Sequence, residues 1–134
     1  MSAYALDANI LSYLLKRDLR VSRRVSEEAK NGNMIVIPPI AYYEVRRGLL
    51  AVKSTVKLRV FEMLCKENKV GVIDVDVLNE AAEIYADLRC AGKPIDDADL
   101  LIAAFCIVGD YILVTNNTRH FERIEGLQVV NWTE

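Results

Sequence analysis

Tyr4-Ala5-Leu6-Asp7-Ala8-Asn9-Ile10-Leu11-Ser12-Tyr13-Leu14-Leu15 is the stretch that decides the fold. Tyr4-Ala5-Leu6 is a short extended segment ending on Asp7, after which Ile10, Leu11, Leu14 and Leu15 recur at helical spacing. A strand that passes through a carboxylate directly into a helix opens an alternating strand–helix pattern, and the pattern continues downstream. Val21, Val25 and Ala29 stand four apart in a polar segment that Asn31-Gly32 stops, which predicts a surface helix over 20–30. Met34-Ile35-Val36-Ile37 is an unbroken apolar strand, closed by Pro38-Pro39, and proline in a first turn opens a helix over 40–50. Further helices are expected over 54–68 and 77–91, and strands over 70–73, 111–115 and 127–131. Leu100 to Val108 is apolar on every side, which marks a helix that must be buried. Such alternation, with no repeat and no linker, predicts an α/β fold with a mainly parallel central sheet of about five strands and helices on both faces.

The chain has 134 residues, so a single domain over 1–134 is expected, and 52% hydrophobic residues suffice for a core without metal or disulfide staples. Cys65, Cys90 and Cys106 have no Cys-x-x-Cys spacing and read as reduced packing residues. His120 is the only histidine, which excludes a His-rich metal site; it falls in a polar run, 116–120, and is expected to be a solvated loop side chain. The longest apolar stretch is nine residues, about half of the ~18–20 needed to span a membrane. No basic segment leads into an apolar signal at the start, so a cytoplasmic location is expected.

Charge is unevenly distributed. Residues 1–70 carry 13 Lys/Arg against 7 Asp/Glu, and residues 71–134 carry 4 against 12. Folded together, the two halves present a basic rim beside an acidic pocket, an arrangement suited to a polyanion and divalent cations.

Ligands of open α/β sheets collect beyond the carboxyl ends of the strands. Asp7 ends the first strand, Thr115-Asn116-Asn117 end the fourth, Asp99 opens the helix feeding the fourth, and Glu44 lies early in the helix after the second. Asp7, Glu44 and Asp99 are therefore expected to converge with the amide of Asn117, and hard oxygen donors of this kind suit Mg²⁺ or Mn²⁺. Crowded carboxylates raise one another's pKa unless a cation lies among them. Chemistry that such a site serves is phosphodiester hydrolysis. Each acid also has a structural reading: Asp7 as the N-cap of the helix at Ala8, Glu44 as the i,i+3 partner of Arg47, and Asp96 as an N-terminal cap three residues before Asp99.

Four segments, taken in order, resemble a PIN domain, and specifically the ribonuclease toxin of VapBC toxin–antitoxin systems. They are Leu6-Asp7-Ala8-Asn9-Ile10, Tyr42-Tyr43-Glu44-Val45-Arg46-Arg47-Gly48, the run from Ile95 to Ala104, and the run from Leu113 to Phe121. The resemblance implies a three-layer α/β/α sandwich. It places the metal-binding and catalytic acids on Asp7, Glu44 and Asp99, and puts Asn117 where an aspartate is frequent. Ala8 stands where similar proteins often carry threonine, and Asp96 matches an extra acid of some relatives. It further implies Mg²⁺- or Mn²⁺-dependent endonucleolytic cleavage of RNA, a homodimer, and a cognate VapB-type antitoxin. Lys16, Arg17, Arg20, Arg23, Arg24, Arg46 and Arg47 are the candidate phosphate contacts. Tyr42 and Tyr43 suit either base stacking or packing.

Two other readings stand beside this one. A non-catalytic RNA- or protein-binding relative is compatible with Asn117 in the fourth position. A phosphoacceptor receiver would need an aspartate ending the third strand, for which Asp74 and Asp76 are available, but it also wants an early acidic pair, and Asp7 stands alone.

Overall fold

The computed structural model describes residues 2–134, so Met1 of the expected 1–134 domain lies outside the description. In chain order the elements are β1 (Ala3–Leu6), α1 (Ala8–Leu15), α2 (Leu19–Lys30), β2 (Met34–Ile37), α3 (Pro39–Ala51), α4 (Thr55–Glu67), β3 (Lys69–Val70), α5 (Val75–Cys90), α6 (Asp97–Gly109), β4 (Ile112–Val114), α7 (Thr118–Phe121) and β5 (Val129–Val130). The strands form one sheet in the order β3-β2-β1-β4-β5, and every pairing is parallel. β1 is central: Tyr4 is in register with Ile35 on one side and with Ile112 on the other.

This order places the site. From β1 the chain steps outward through β2 to β3, then returns past β1 to lay down β4 and β5 on its other side. Right-handed crossovers put α1 to α4 on one face and α5 and α6 on the opposite face. Connections leaving β1 and β4 therefore diverge, and a crevice opens at their carboxyl ends. Asp7 and Thr115, each the residue after its strand, stand at that crevice. The same order corrects the receiver reading, which needs the third strand beside the first. Here β3 is an edge strand beyond β2, and Asp74 accepts the Val77 N–H at 3.0 Å as the cap of α5.

The core is the interior of the sandwich. Leu6, Ile10, Leu11, Val36, Ile37, Phe61, Ile102, Leu113, Val114 and Phe121 are all buried. α6 buries Leu100 and every residue from Ile102 to Cys106, which its apolar circumference required. Three acids start helices upstream of the apolar periodicity: Asp18 accepts from Arg20 and Val21, Asp74 from Val77, and Asp96 from Asp99. The helices expected from 20, 77 and 100 consequently begin at 19, 75 and 97.

The outer strands are shorter than the apolar runs suggested, because an edge strand is hydrogen-bonded on one side only. β3 ends at Val70, although the Gly71 N–H still donates to the Ile37 carbonyl at 2.9 Å. A side chain at Gly71 would collide with the Phe105 ring of α6, and Val72 beyond it is 78% exposed. The polar run after β4 is not wholly a loop: α7 forms there and seats Phe121 and Ile124 in the core. Among the described residues no helix is long and apolar enough to cross a membrane.

Candidate active site

Asp7 is only 6% exposed, and both its carboxylate oxygens are engaged. Oδ1 accepts the Ala8 N–H at 2.8 Å, capping α1, and Oδ2 accepts the Thr115 hydroxyl at 2.8 Å across the β1–β4 seam. The capping role that the sequence offered for Asp7 is thus filled by Oδ1, while Oδ2 is turned to Thr115. Burial raises the Asp7 pKa above the ordinary carboxylate value; the Thr115 and Ala8 hydrogen bonds and the nearby His120 oppose the rise, and Asp96 adds to it. Thr115 is itself fully buried, and its hydroxyl oxygen accepts the Asn117 N–H at 3.1 Å.

Glu44 projects from α3 into the same field. Its pKa is raised by burial first and then by the charges of Asp7 and Asp99, with Arg47 opposing from 4.0 Å. Asp99, in the first turn of α6, is raised by burial and then by Asp96, and again by Asp7. Carboxylates from β1, α3 and α6 therefore repel one another at one end of the sheet. Asp96 caps α6 through a 2.9 Å bond from the Asp99 N–H and contributes negative charge to all three.

His120 is the main departure from the sequence reading. Its side chain is 21% exposed, not solvated, and Nε2 lies 2.7 Å from Asp99 Oδ2. The oxygen sits off the axis of a good hydrogen bond, so Nε2 has a close charged neighbour but no aligned acceptor. Arg123 Nη2 approaches Nδ1 at 3.2 Å and Nη1 donates to the Pro94 carbonyl at 3.3 Å. Arginine only donates, so this contact is a hydrogen bond in the tautomer that leaves Nδ1 as the acceptor.

The oxygen-only donor set fits a hard divalent cation. Among the described residues no three His, Cys, Asp or Glu side chains form a ready-made cage. Mg²⁺ does not need one, since it keeps several waters and takes one or two carboxylates. Asp7, Glu44 and Asp99 are the side chains that could hold it, and a cation among them would offset both the burial and the neighbouring negative charge that raise their pKa values.

The other expected residues are more dispersed. Asn117 is exposed at the start of α7; its backbone N–H is tied to Thr115, and its side chain caps nothing. Arg47 lies over Tyr43, 5.1 Å from the ring centroid, beside Glu44. Arg46 neighbours Cys65. On α2, Arg23 is exposed, whereas Arg24 covers Trp132 at 5.3 Å and Arg20 is bound to Asp18 and to the Thr133 carbonyl. Tyr42 packs against Phe61 and is core-facing; Tyr43 is 58% exposed. Sequence reasoning missed Thr115 and His120 as partners of the acids. For His120 the available signal was the apolar spacing of Phe121 and Ile124, which turns the polar run into a folded segment.

The PIN domain family matches residues 4–127. "Ribonuclease VapC1" of Methanocaldococcus jannaschii is 34% identical over 131 residues, covering 96% of this chain and 87% of the relative. "Ribonuclease VapC1" of Haemophilus influenzae strain R2866 is 30% identical over 133 residues, covering 98% of each. Among solved structures, VapBC2 from Rickettsia felis bound to a DNA fragment from its promoter superposes with a TM-score of 0.89 at 28% identity, over 97% of this chain and 98% of that one.

Proposed function

The chain belongs to the PIN domain family, and on that premise we propose that it is a single-domain, Mg²⁺- or Mn²⁺-dependent endoribonuclease, the toxin of a type II toxin–antitoxin pair. The observation that supports it best is the placing of Asp7, Glu44 and Asp99 around the switch point of the parallel sheet, half-buried or buried, where burial first and neighbouring carboxylates second disfavour their ionisation. Folding has no use for three carboxylates that disfavour one another's ionisation, whereas a cation site at a phosphodiester does.

In this reading Asp7 is the fixed member, clamped by Thr115 and by α1. Asp99 is steadied by His120, leaving Oδ1 available to the site. Glu44, 28% exposed, adjusts to the substrate. Asn117 offers a neutral amide oxygen at the rim, and Asp96 deepens the negative field. Bound there, Mg²⁺ or Mn²⁺ would polarise the scissile phosphoryl group and acidify the attacking water. Arg46, Arg47, Arg23 and Arg24 position the RNA backbone, contacts that carry no sequence information.

The partner is a VapB-type antitoxin and the toxin self-associates as a homodimer, working in the cytoplasm. Support comes from the Rickettsia felis relative, a VapBC2 complex, and from apolar side chains left exposed: Leu50, Val52, Val56, Val60 and Met63 on α3, α4 and their connection, and Leu78 and Tyr85 on α5.

The test is cleavage of 5′-labelled RNA by the purified chain. Activity is expected with Mg²⁺ or Mn²⁺, is abolished by chelation, and falls more than about 100-fold in Asp99→Asn with the fold intact. Full cleavage by Asp7→Asn and Asp99→Asn variants would reject the assignment.

A further inference from the structure

Asn9, Ser12 and Tyr13 occupy positions i, i+3 and i+4 of α1, and Lys16, the residue that caps its C-terminus, follows at i+7. This stripe carries an amide, a hydroxyl, a phenol and an ammonium, while the neighbouring Ile10 and Leu11 supply the buried contacts. Asn116, just beyond β4, closes the other side. Together these five residues line a groove of about 230 Å³. Drug-sized ligands fill roughly 300–1,000 Å³, so this groove is scaled to a single base or sugar.

Its placement matters as much as its lining. Asn9 is two residues from Asp7, and Asn116 adjoins Thr115, the partner of Asp7. From there the stripe runs about 10 Å along α1 to Lys16, away from the acids. Asn9 Nδ2 donates to Asn116 Oδ1 at 3.4 Å, a long, exposed bond that costs little to give up. It leaves Asn9 Oδ1 as an acceptor beside the Asn116 amide hydrogens as donors. An adjacent acceptor and donor is the complement of a nucleobase edge, which asparagine reads bidentately.

We propose that this groove seats an unpaired ribonucleotide next to the scissile phosphate. Asn9 and Asn116 read its base edge, Ser12 and Tyr13 contribute hydroxyls, and Lys16 takes its far phosphate. Single-stranded RNA is the fitting ligand because its base edges are free to be read. The inference rests on the ribonuclease reading and assigns to it a subsite that distinguishes one base from another.

The experiment uses the full chain carrying Asp99→Asn, in which binding without cleavage is expected, titrated with fluorescein-labelled rA4, rC4, rG4 and rU4 over a range of KCl. Adding Asn9→Ala and Asn116→Ala is expected to weaken the preferred tetramer about tenfold and flatten the ranking, with the salt dependence unchanged. Adding Lys16→Ala is expected to weaken all four alike and to lower the log–log salt slope by about 0.7, one single-strand phosphate contact. All three positions are exposed, and a thermal melt checks that the variants fold. Unchanged affinity, ranking and slope in both variants overturn the proposal, as does failure of every tetramer to bind. Variants that keep RNA binding but lose a protein partner also overturn it, in favour of a protein contact. Absence of cleavage by the unmodified chain would instead strike the ribonuclease reading, and the titration, which needs no cleavage, would still report on the groove.

Discussion

Thr115 donates its hydroxyl to Asp7 Oδ2 over 2.8 Å, joining the carboxyl ends of β4 and β1 through a bond between residues 108 apart in sequence. Both side chains are buried, so neither has water as an alternative partner. Thr115→Val keeps the shape and removes the hydroxyl, leaving a buried carboxylate one hydrogen bond short and the Asn117 N–H without its acceptor. The expected loss is about 1–3 kcal/mol in chemical denaturation, with Thr115→Ser recovering most of it. Equal stability of the Val variant would show that the bond does not hold the seam.

The three thiols are expected to separate by reactivity. Cys106 is fully buried in α6, where burial and the nearby Asp7 charge push its thiol far above the ordinary range. Cys65 is half-buried with its thiol raised by burial, and Cys90 is exposed at the end of α5. A thiol reagent that reacts with the thiolate should modify Cys90 first, Cys65 slowly, and Cys106 only on unfolding. Mass spectrometry of quenched samples reads the order directly; early modification of Cys106 would mean that α6 opens in the native state.

The fold was legible because parallel α/β architecture writes itself locally: strand, carboxylate, helix at Tyr4 to Leu15, and an all-apolar α6. The positions of the candidate acids were legible because strand ends and the early turns of helices are places that sequence can assign. What sequence could not assign was pairing between distant segments. Thr115 was only a strand end until β4 was set beside β1, and His120 was only a polar residue until α7 folded it against Asp99. Short edge strands escaped for a related reason, since their length is fixed by neighbours and not by their own apolar runs.

His120 is expected to act on the proposed site through Asp99, which its ring touches. With Nε2 at 2.7 Å and Nδ1 engaged by Arg123, the ring limits where Asp99 Oδ2 can go. His120→Ala is expected to cost about 10- to 100-fold in Mn²⁺ affinity or in cleavage, with the melting temperature little changed. Arg123→Ala should follow in the same direction with a smaller effect, because it frees the ring without removing it. Isothermal titration with Mn²⁺ alone separates the two; unchanged affinity in His120→Ala would leave the ring a packing role only.

Glu44→Gln is expected to act in opposite directions with and without metal. In the metal-free chain the pKa values of Asp7, Glu44 and Asp99 are all raised, so the folded state binds more protons than the unfolded state through the carboxylate range. Stability from this source is complete below the unfolded values and declines as pH rises through the folded ones. Removing the Glu44 charge relieves part of the repulsion, so metal-free Glu44→Gln should melt a few degrees higher than the unmodified chain at pH 7. That gap should close as pH falls below the ordinary carboxylate values, where Glu44 is protonated in both states. Asp18 is lowered by Arg20 and shifts the other way, but it is common to both proteins and cancels in the difference. With Mn²⁺ at about 100 times its Kd the unmodified chain gains about 2.7 kcal/mol by mass action, and the variant, short of one charge in the cluster, gains less. The order of melting temperatures should therefore invert on adding metal. A variant that melts lower in both conditions would show that Glu44 is held by Arg47 as a structural pair, with no charge strain for a cation to relieve.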